Sequence, residues 1–250
     1  MKHLKSIWLT IILLATIQME CNAAKEILFA RNNFEQAEYP KLEFRLLSDS
    51  NYIFYYQTTE WAATKTEMSN GRYSIKSDTI VFHPTRFQYI NCDKAIIKDG
   101  FVEFLNGKHP LRIKIQSTIL NSKVSYDTVT FNKYAFFSYD RNHYNCFEGN
   151  VLESIDLDNS DVTKLDSILN ISITKSKSIS YKPNQYFKQC IAIIDSNGHK
   201  VVWINLTCGN MYYKYGIDYV NDGGDCFANL KINLTKLTWY DLSVNGIEGE

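Results

Sequence analysis

The sequence predicts a mainly β protein of the α+β class. We expect an N-terminal antiparallel β-barrel or sandwich, followed by a C-terminal antiparallel sheet with one helix packed on it. Three observations lead to this prediction. Apolar, β-rich runs meet at short turns such as Asn197-Gly198. Short strands recur at regular spacing through the first half of the chain. A helical period stands out only after residue 159.

The first 23 residues have the pattern of an export signal. Lys2 and Lys5 precede an apolar run from Ile7 to Ile17, which is too short to span a bilayer. Small residues after Cys21 offer a cleavage site. We therefore predict that residues 1–23 are a signal peptide and that the mature chain has no transmembrane span. An uncleaved membrane anchor is the alternative.

Cys21 allows a further interpretation, in which it is the lipidated first residue of a mature lipoprotein. Glu20 argues against this, because the lipoprotein peptidase generally requires a small residue at that position. Lipidation at Cys21 stays open, and it would make the protein lipid-anchored instead of soluble in the periplasm. Both interpretations predict an exported protein of the periplasm or cell envelope.

Composition excludes some partners. The 250 residues are 45% hydrophobic and 14% aromatic, which is enough for packed cores. Removing Lys2, Lys5 and Glu20 with a cleaved leader leaves 25 basic and 26 acidic residues. This balance gives no basic surface for nucleic acid or for an anionic membrane.

Residues 24–139 are predicted to form the N-terminal β domain. Leu111, Ile113 and Ile115 alternate with Arg112, Lys114 and Gln116, as in a strand with one buried face. A strand is predicted on each side of the turn at residues 48–51, and a loop is predicted from Trp61 to Asn70. Hairpins are predicted to turn at residues 76–78 and at Asp99-Gly100, and a further strand is predicted from Val124 to Phe131.

One run of this domain has a familiar pattern, formed by Gly71, Tyr73, Ile75, Asp78-Thr79 and Ile80. It resembles the lipocalin-like β-domains of exported bacterial proteins. The resemblance covers about a quarter of the chain. It implies a barrel that either encloses a ligand or is filled by its own side chains.

Residues 140–159 are predicted to be a linker, because they are polar and rich in Asn. A helix should follow, with Ser160 as its N-cap and an apolar face formed by Val162, Leu165, Ile168 and Leu169. Residues 160–250 would then form an α+β domain in which this face packs on the sheet.

The last strands of that sheet alternate in polarity. Apolar residues alternate with Asn229, Lys231 and Asn233 from Ala228 to Leu234. Tyr240, Leu242 and Val244 alternate with Trp239, Asp241 and Ser243. This pattern predicts a sheet with one covered face and one wet face.

Several motifs occur in order in this C-terminal block. They are Lys188-Gln189, Val202-Trp203-Ile204-Asn205 with Cys208, Asp222-Gly223-Gly224 with Cys226-Phe227, and Val244-Asn245-Gly246. The block resembles a family of uncharacterised exported proteins of Gram-negative bacteria over about sixty residues. The resemblance implies no activity.

Cys208 and Cys226 are predicted to form a disulfide. Each shares the apolar face of its strand, and both fall at the same end of the sheet if the strands are antiparallel neighbours. Two buried thiols are the alternative. A two-residue turn at Asn197-Gly198 would place Cys190 opposite Asn205. The pairing of Cys92, Cys146 and Cys190 is left open, and an odd number of cysteines in the mature chain leaves one without an internal partner.

Three sets of residues are candidates for a catalytic or metal-binding site, and none of them fits the expected pattern well. A nucleophilic cysteine with His143 or His199 lacks a cation that would lower its pKa, since every cysteine lies in or beside an apolar strand. Oxygen ligands at residues 218, 221, 222 and 225 lack the spacing of a calcium loop. Glycoside hydrolysis would need two facing carboxylates from the set Glu60, Glu67, Asp78 and Glu103.

The sequence thus predicts a non-catalytic binding or interaction module of the cell envelope, with no cofactor and no metal. Its partner would be a protein or a small ligand. The alternative is a hydrolase that acts on envelope or imported glycans, with its site in the N-terminal domain.

Overall fold

The structure, a computed structural model, describes residues 24–32, 34, 40–60, 63–83, 91–108, 110–209, 212–220 and 222–246. The predicted signal peptide and Cys21 lie outside these residues. The barrel strands are β1 (Glu26–Arg31), β2 (Lys41–Leu47), β3 (Asn51–Glu60), β4 (Ala63–Lys76), β5 (Thr79–His83), β6 (Lys94–Lys98), β7 (Phe101–Leu105) and β8 (Leu111–Thr118). The second sheet contains β9 (Tyr134–Phe137), β10 (Val151–Ser154), β11 (Phe187–Asp195), β12 (Lys200–Thr207), β13 (Phe227–Asn233) and β14 (Thr238–Val244), and helix α1 is Asn159–Lys175.

The first eight strands close into an antiparallel barrel, because β1 pairs with both β2 and β8. The predicted turns are confirmed. Asp99 and Gly100, with φ of 50° and 80°, join β6 to β7 as the Asp-Gly pair predicts. Ile113 lies inside the barrel, with Leu111 and Ile115 packed beside it.

The predicted loop from Trp61 to Asn70 is wrong for the residues that are described. Residues 63–70 form the first half of β4, which pairs with β3 up to Glu60↔Ala63. Most of this half is exposed, so no apolar alternation marks it in the sequence. Cross-strand hydrogen bonds hold it extended without a buried face.

The predicted strand from Val124 to Phe131 is also wrong, because this segment consists of bends and turns. Asp127 accepts hydrogen bonds from the backbone N–H groups of Val129, at 2.9 Å, and Thr130, at 3.3 Å. A side chain that takes up local N–H groups in this way stabilises a turn and competes with strand pairing.

Aromatic rings fill the barrel interior. Phe44 is fully buried, and its ring centre lies 5.2 Å from that of Phe104 and 5.9 Å from that of Phe82. Tyr52, also fully buried, crosses directly over Gly71 on the next strand. A Cβ atom on Gly71 would lie 2.6 Å from the Tyr52 hydroxyl, so the glycine makes room for the ring.

The second sheet is mixed, and it begins earlier in the chain than the range 160–250. Strand β9, which lies within residues 24–139, pairs with β11 in parallel. Strand β10 lies within the predicted linker 140–159 and pairs with β11 in antiparallel fashion. Strands as short as these, of four residues each, carry too few alternations to be detected in the sequence.

Helix α1 packs on the sheet as predicted. Val162, Leu165 and Leu169 are fully buried against the apolar side chains of β11 to β13. The N-cap is Asp158 and not Ser160, because the Asp158 carboxylate accepts a hydrogen bond from the Asp161 N–H at 2.8 Å.

The hairpin at Asn197-Gly198 is confirmed, but its register is shifted by one residue. The Asp195 N–H donates to the His199 carbonyl, so the loop has three residues, and Gly198 takes a φ of 77°. Cys190 therefore lies opposite Ile204, and Gln189 lies opposite Asn205.

The prediction of one wet face fails for β11 and β12, which are buried on both sides over most of their length. Helix α1 covers one face, and segments 139–151 and 213–217 cover the other. A bulge also alters β14, where Asp241 has a φ of 53°. Trp239 consequently shares the helix side with Leu242 and Val244, while Tyr240 points to the other side.

Candidate functional site

Polar residues on the outer wall of the barrel join it to the second sheet. Glu103 is buried and accepts hydrogen bonds from the Ser138 N–H, at 2.9 Å, and the Ser138 hydroxyl, at 3.1 Å. Arg112, predicted to face solvent, is also buried. Its guanidinium lies 4.5 Å from the ring centre of Phe101 and 4.8 Å from that of Phe137. These contacts are structural.

A buried lysine forms a second contact between the barrel and the C-terminal part of the structure. Lys98 at the end of β6 is 1% exposed and forms an ion pair with Asp156, which precedes α1. Lys123 approaches the same carboxylate at 2.6 Å from the solvent side. Burial alone would raise the pKa of Asp156, but the two ammonium groups lower it below its usual value.

Two buried amides hold the segment that follows β12. Gln189 donates to the carbonyls of Tyr213, at 2.8 Å, and Gly216, at 2.5 Å. Its carbonyl oxygen accepts from Asn205 and from the Asp218 N–H, both at 3.0 Å. Asn205 in turn donates to the Asp218 carbonyl. These amides fix the backbone of 213–218 over the sheet, because a buried amide must satisfy its polar atoms.

Lys188, the neighbour of Gln189 in the same motif, lies on the helix side of the sheet. Its ammonium is 5.1 Å from the ring centre of Tyr134, whose hydroxyl donates to Asp166 at 2.6 Å. Burial lowers the pKa of Lys188, and the nearby Asp166 opposes that shift. This group lies under α1, with Lys188 4% and Tyr134 2% exposed, so it serves packing.

The predicted disulfide joins Cys208 to Cys226, with Cα atoms 5.1 Å apart. It closes the segment between β12 and β13. The Asn245 side chain also holds this segment, because it donates a hydrogen bond to the Val220 carbonyl. The disulfide and the amides together hold residues 213–220 beside the open part of the sheet.

A cavity of about 340 Å³ lies between this segment and β12 and β13. We call it the sheet cavity. It is on the face opposite α1, where segments 139–151 and 213–217 leave β13 half-exposed. It is lined by Asn145, Cys146, Trp203, Asn205, Asp218, Tyr219, Val220, Phe227, Asn229 and Asn245. Aromatic rings and amides thus dominate its walls, a lining suited to a polar organic ligand.

Several polar groups of this lining have no hydrogen bond to another described residue. Among the described residues, no hydrogen bond engages the side chain of Asn145, Asn229 or Tyr219, or the indole N–H of Trp203. Trp203 as a whole is 7% exposed. These donors and acceptors are therefore available to a ligand in the cavity.

Among the described cysteines, Cys92, Cys146 and Cys190 are free thiols. Burial raises the pKa of Cys92 and of Cys146 to about 12, and it raises that of Cys190 as well. His143 and His199 are paired with Asp140, at 3.0 Å, and Asp195, at 3.2 Å. Protonated thiols are poor nucleophiles, so this geometry does not support Cys–His catalysis.

The side chains proposed as cation ligands do not come together as a metal site in the described residues. Asp225 accepts from the Ser180 N–H at 2.7 Å and from its hydroxyl, and residue 221 lies outside the described residues. Within the described ranges, no group of three or more His, Cys, Asp or Glu side chains is placed to hold a metal ion.

Among the proposed carboxylates, the three that are described, Glu67, Asp78 and Glu103, do not form a pair across the barrel. Glu103 lies on the outer wall, whereas Glu67 shares the strand face of the inward Tyr73, and Asp78 lies in the turn between β4 and β5. The side chain of Glu60 lies outside the described residues.

In the part of the chain that is described, no helix is both long and apolar enough to cross a bilayer. No family model matches the sequence, and no curated protein or solved structure is significantly similar to it. The two resemblances drawn from the sequence therefore stay predictions.

Sequence reasoning did not identify the sheet cavity. Asn229 was assigned to a wet strand face, and Trp203 was treated as part of a motif without a role. A usable indication was present, since Asn205, Asn229 and Lys231 each lie between two apolar residues of their strands. What could not be foreseen is which part of that face the loops leave open.

Proposed function

We propose that this protein is an exported, non-catalytic binding module that holds a small polar ligand in the sheet cavity. The observation that carries the proposal is a set of polar groups, including Asn229 and the Trp203 indole, that have no hydrogen bond to the described residues and line a concave site with aromatic walls. The export pattern of residues 1–23 and the Cys208–Cys226 disulfide support a location in the periplasm or envelope.

The alternative proposal, a glycan hydrolase with its site in the barrel, has less support. The described interior of the barrel is packed with rings such as Phe44 and Phe104, which leaves little room for a sugar chain. Retaining and inverting hydrolases both need two carboxylates on either side of the bond. Glu103, one of the four proposed, points away from the interior.

The proposed function is tested by thermal unfolding of the mature protein in the presence of four ligand sets: saccharides, amino acids and dipeptides, nucleosides, and polyamines. At least one set should raise the Tm in proportion to ligand concentration, since binding to the folded state stabilises it. The Asn229→Leu variant, which places an apolar group in the sheet cavity, should lose that rise. The matched control is Asn70→Leu on the exposed part of β4, which should keep it.

If no ligand set raises the Tm, or if Asn229→Leu keeps the full rise, binding in the sheet cavity is contradicted. Location and lipidation need a separate test. Fractionation of a Gram-negative host with palmitate labelling should find the protein in the periplasm, without label. Label that disappears in Cys21→Ser would instead favour the lipid-anchored alternative.

A further inference from the structure

A second cavity lies next to the sheet cavity on the same face of the sheet. It has a volume of about 180 Å³, and its lining includes Val201, Lys231, Tyr240 and Asp241. Strand β13 therefore borders both cavities, through Asn229 in the first and Lys231 in the second.

The two cavities are consecutive along the same strands. Val201 and Trp203 are alternate residues of β12, and Asn229 and Lys231 are alternate residues of β13, with Trp203 directly opposite Lys231. Alternate residues of a strand are about 7 Å apart. Their shared wall is also continuous, because Cys146 lines the first cavity and Phe147 the second. The two cavities are therefore adjacent along β13, and we call the two together the β13 groove.

We propose that the β13 groove binds an extended, uncharged oligosaccharide. This inference rests on the proposed function, and it names the ligand class and the direction in which the ligand lies. The sugar chain runs along β13 from the sheet cavity to the second cavity.

Aromatic rings stand at both ends of the groove. Tyr219 is 64% exposed at the first cavity, and Tyr240 is 41% exposed at the second. Exposed rings of this kind offer a flat apolar surface with a polar tip, which suits the C–H face and hydroxyl rim of a pyranose. The floor between them carries Asn229, whose amide can both donate to and accept from hydroxyl groups.

The charges of the groove disfavour anionic ligands. Four carboxylates and one ammonium group belong to the described lining residues. The ammonium, on Lys231, is paired with Asp241 at 2.9 Å. Among the described lining residues, a phosphate or carboxylate on a ligand would find no unpaired cation, whereas sugar hydroxyls can donate to the carboxylates.

An extended peptide fits the groove less well. Peptides that bind along a sheet usually add a strand to an open edge. The floor strand β13 has no open edge, because it is paired with β12 on one side and with β14 on the other. Recognition must therefore come from side chains, and these are aromatic and amide groups.

The experiment has two stages. A glycan array of plant, bacterial and animal polysaccharide fragments first selects the sugar type for the mature protein. Calorimetric titration with the mono-, di- and tetrasaccharide of that type then measures the Kd. We expect the affinity to rise with chain length, because only the longer chains reach both cavities.

Two variants test which part of the oligosaccharide occupies each cavity. Tyr240→Ala should weaken the tetrasaccharide about tenfold, the size of one lost aromatic contact, and leave the monosaccharide unchanged. Tyr219→Ala should weaken both. The matched control, Tyr55→Ala on barrel strand β3, should change neither.

The outcomes separate the two proposals. If a nucleoside, dipeptide or polyamine raises the Tm through the sheet cavity and no glycan binds, the oligosaccharide inference fails while the binding function stands. Affinity that does not grow with chain length, or that is insensitive to Tyr240→Ala, also overturns it. If no ligand of any kind binds at the sheet cavity, both proposals fail.

Discussion

Side chains alternate between two faces in both the barrel and the second sheet, but the results differ. The alternation fills the interior of the barrel, whereas it leaves a cavity beside the sheet. In the barrel, closure turns every inward position toward one interior, which aromatic rings such as Phe44 and Phe104 fill. In the sheet, α1 packs on one face, and the other face is covered only over β11 and β12. The uncovered strand β13 carries the amides and borders the cavities. The sheet cavity thus arises from incomplete coverage of a sheet, and not from the enclosure of space inside a barrel.

The largest expected effect comes from emptying the barrel. Phe44→Ala should lower the free energy of unfolding by about 3–5 kcal/mol, because it removes a fully buried ring that contacts two others. Urea denaturation measures this change. A loss below about 1 kcal/mol would mean that the interior is loosely packed, and the contrast with the sheet would break.

The ion pair between the two regions should have an effect of similar size. Asp156→Asn leaves the ammonium of Lys98 buried without a counter-charge, which costs about 3–5 kcal/mol. Lys123→Gln removes only the exposed partner of the same carboxylate and should cost about 1 kcal/mol or less. Equal losses in the two variants, measured by urea denaturation, would contradict the assignment of Lys98 as the buried partner.

The same pair predicts a pH dependence. Because the folded pKa of Asp156 is lowered, its contribution is fully present above the unfolded value of about 3.9 and is lost as pH falls through the folded pKa. Below about pH 4, the wild type should therefore lose stability more steeply than Asp156→Asn. If the free energy of unfolding fell equally steeply with pH in the two proteins, the protonation of this carboxylate would not be coupled to folding.

The disulfide should have the next largest effect, and it belongs to the sheet. Replacing Cys208 and Cys226 by Ala should lower the free energy of unfolding by about 3 kcal/mol, since the bond closes a segment with a sequence separation of 18. Ligand binding should weaken as well, because residues 218–220 line the sheet cavity. Cys146→Ala is the control for loss of a thiol at the cavity, and it should change stability by far less.

The smallest effect on stability is expected at the cavity itself. Asn229→Ala should change the free energy of unfolding by about 0.5 kcal/mol or less, because this half-buried amide has no hydrogen bond to the described residues. The same variant should reduce ligand binding. A large loss of stability would show that Asn229 supports the fold, and it would remove this residue from the site.

Much of the fold could be predicted because its patterns are local. The alternation in β8 and β13, the Asp99-Gly100 turn and the apolar face of α1 each depend on a few neighbouring residues. The errors have equally physical causes. Residues 63–70 are extended without a buried face, and β9 and β10 are too short to show a period.

The candidate site was less predictable, because it depends on contacts distant in sequence. Gln189 and Asn205 were recognised as motif residues, but their role in holding 213–218 follows from a register that is shifted by one residue from the prediction. The polar side chains of Arg112 and Glu103 gave no sign of burial, since the surface that covers them belongs to another part of the chain. The pairing of Cys208 with Cys226 was predictable because both lie at strand ends on the same face.

Both proposals place the ligand at the sheet and not inside the barrel. This placement is tested by ¹H–¹⁵N NMR of the mature protein, titrated with the oligosaccharide that the glycan array selects. We predict saturable shifts of the Trp203 indole N–H and the Asn229 side-chain amide, with the backbone amides of Phe44 and Phe104 unchanged. Saturable shifts at the barrel amides, with Trp203 and Asn229 unaffected, would contradict the account.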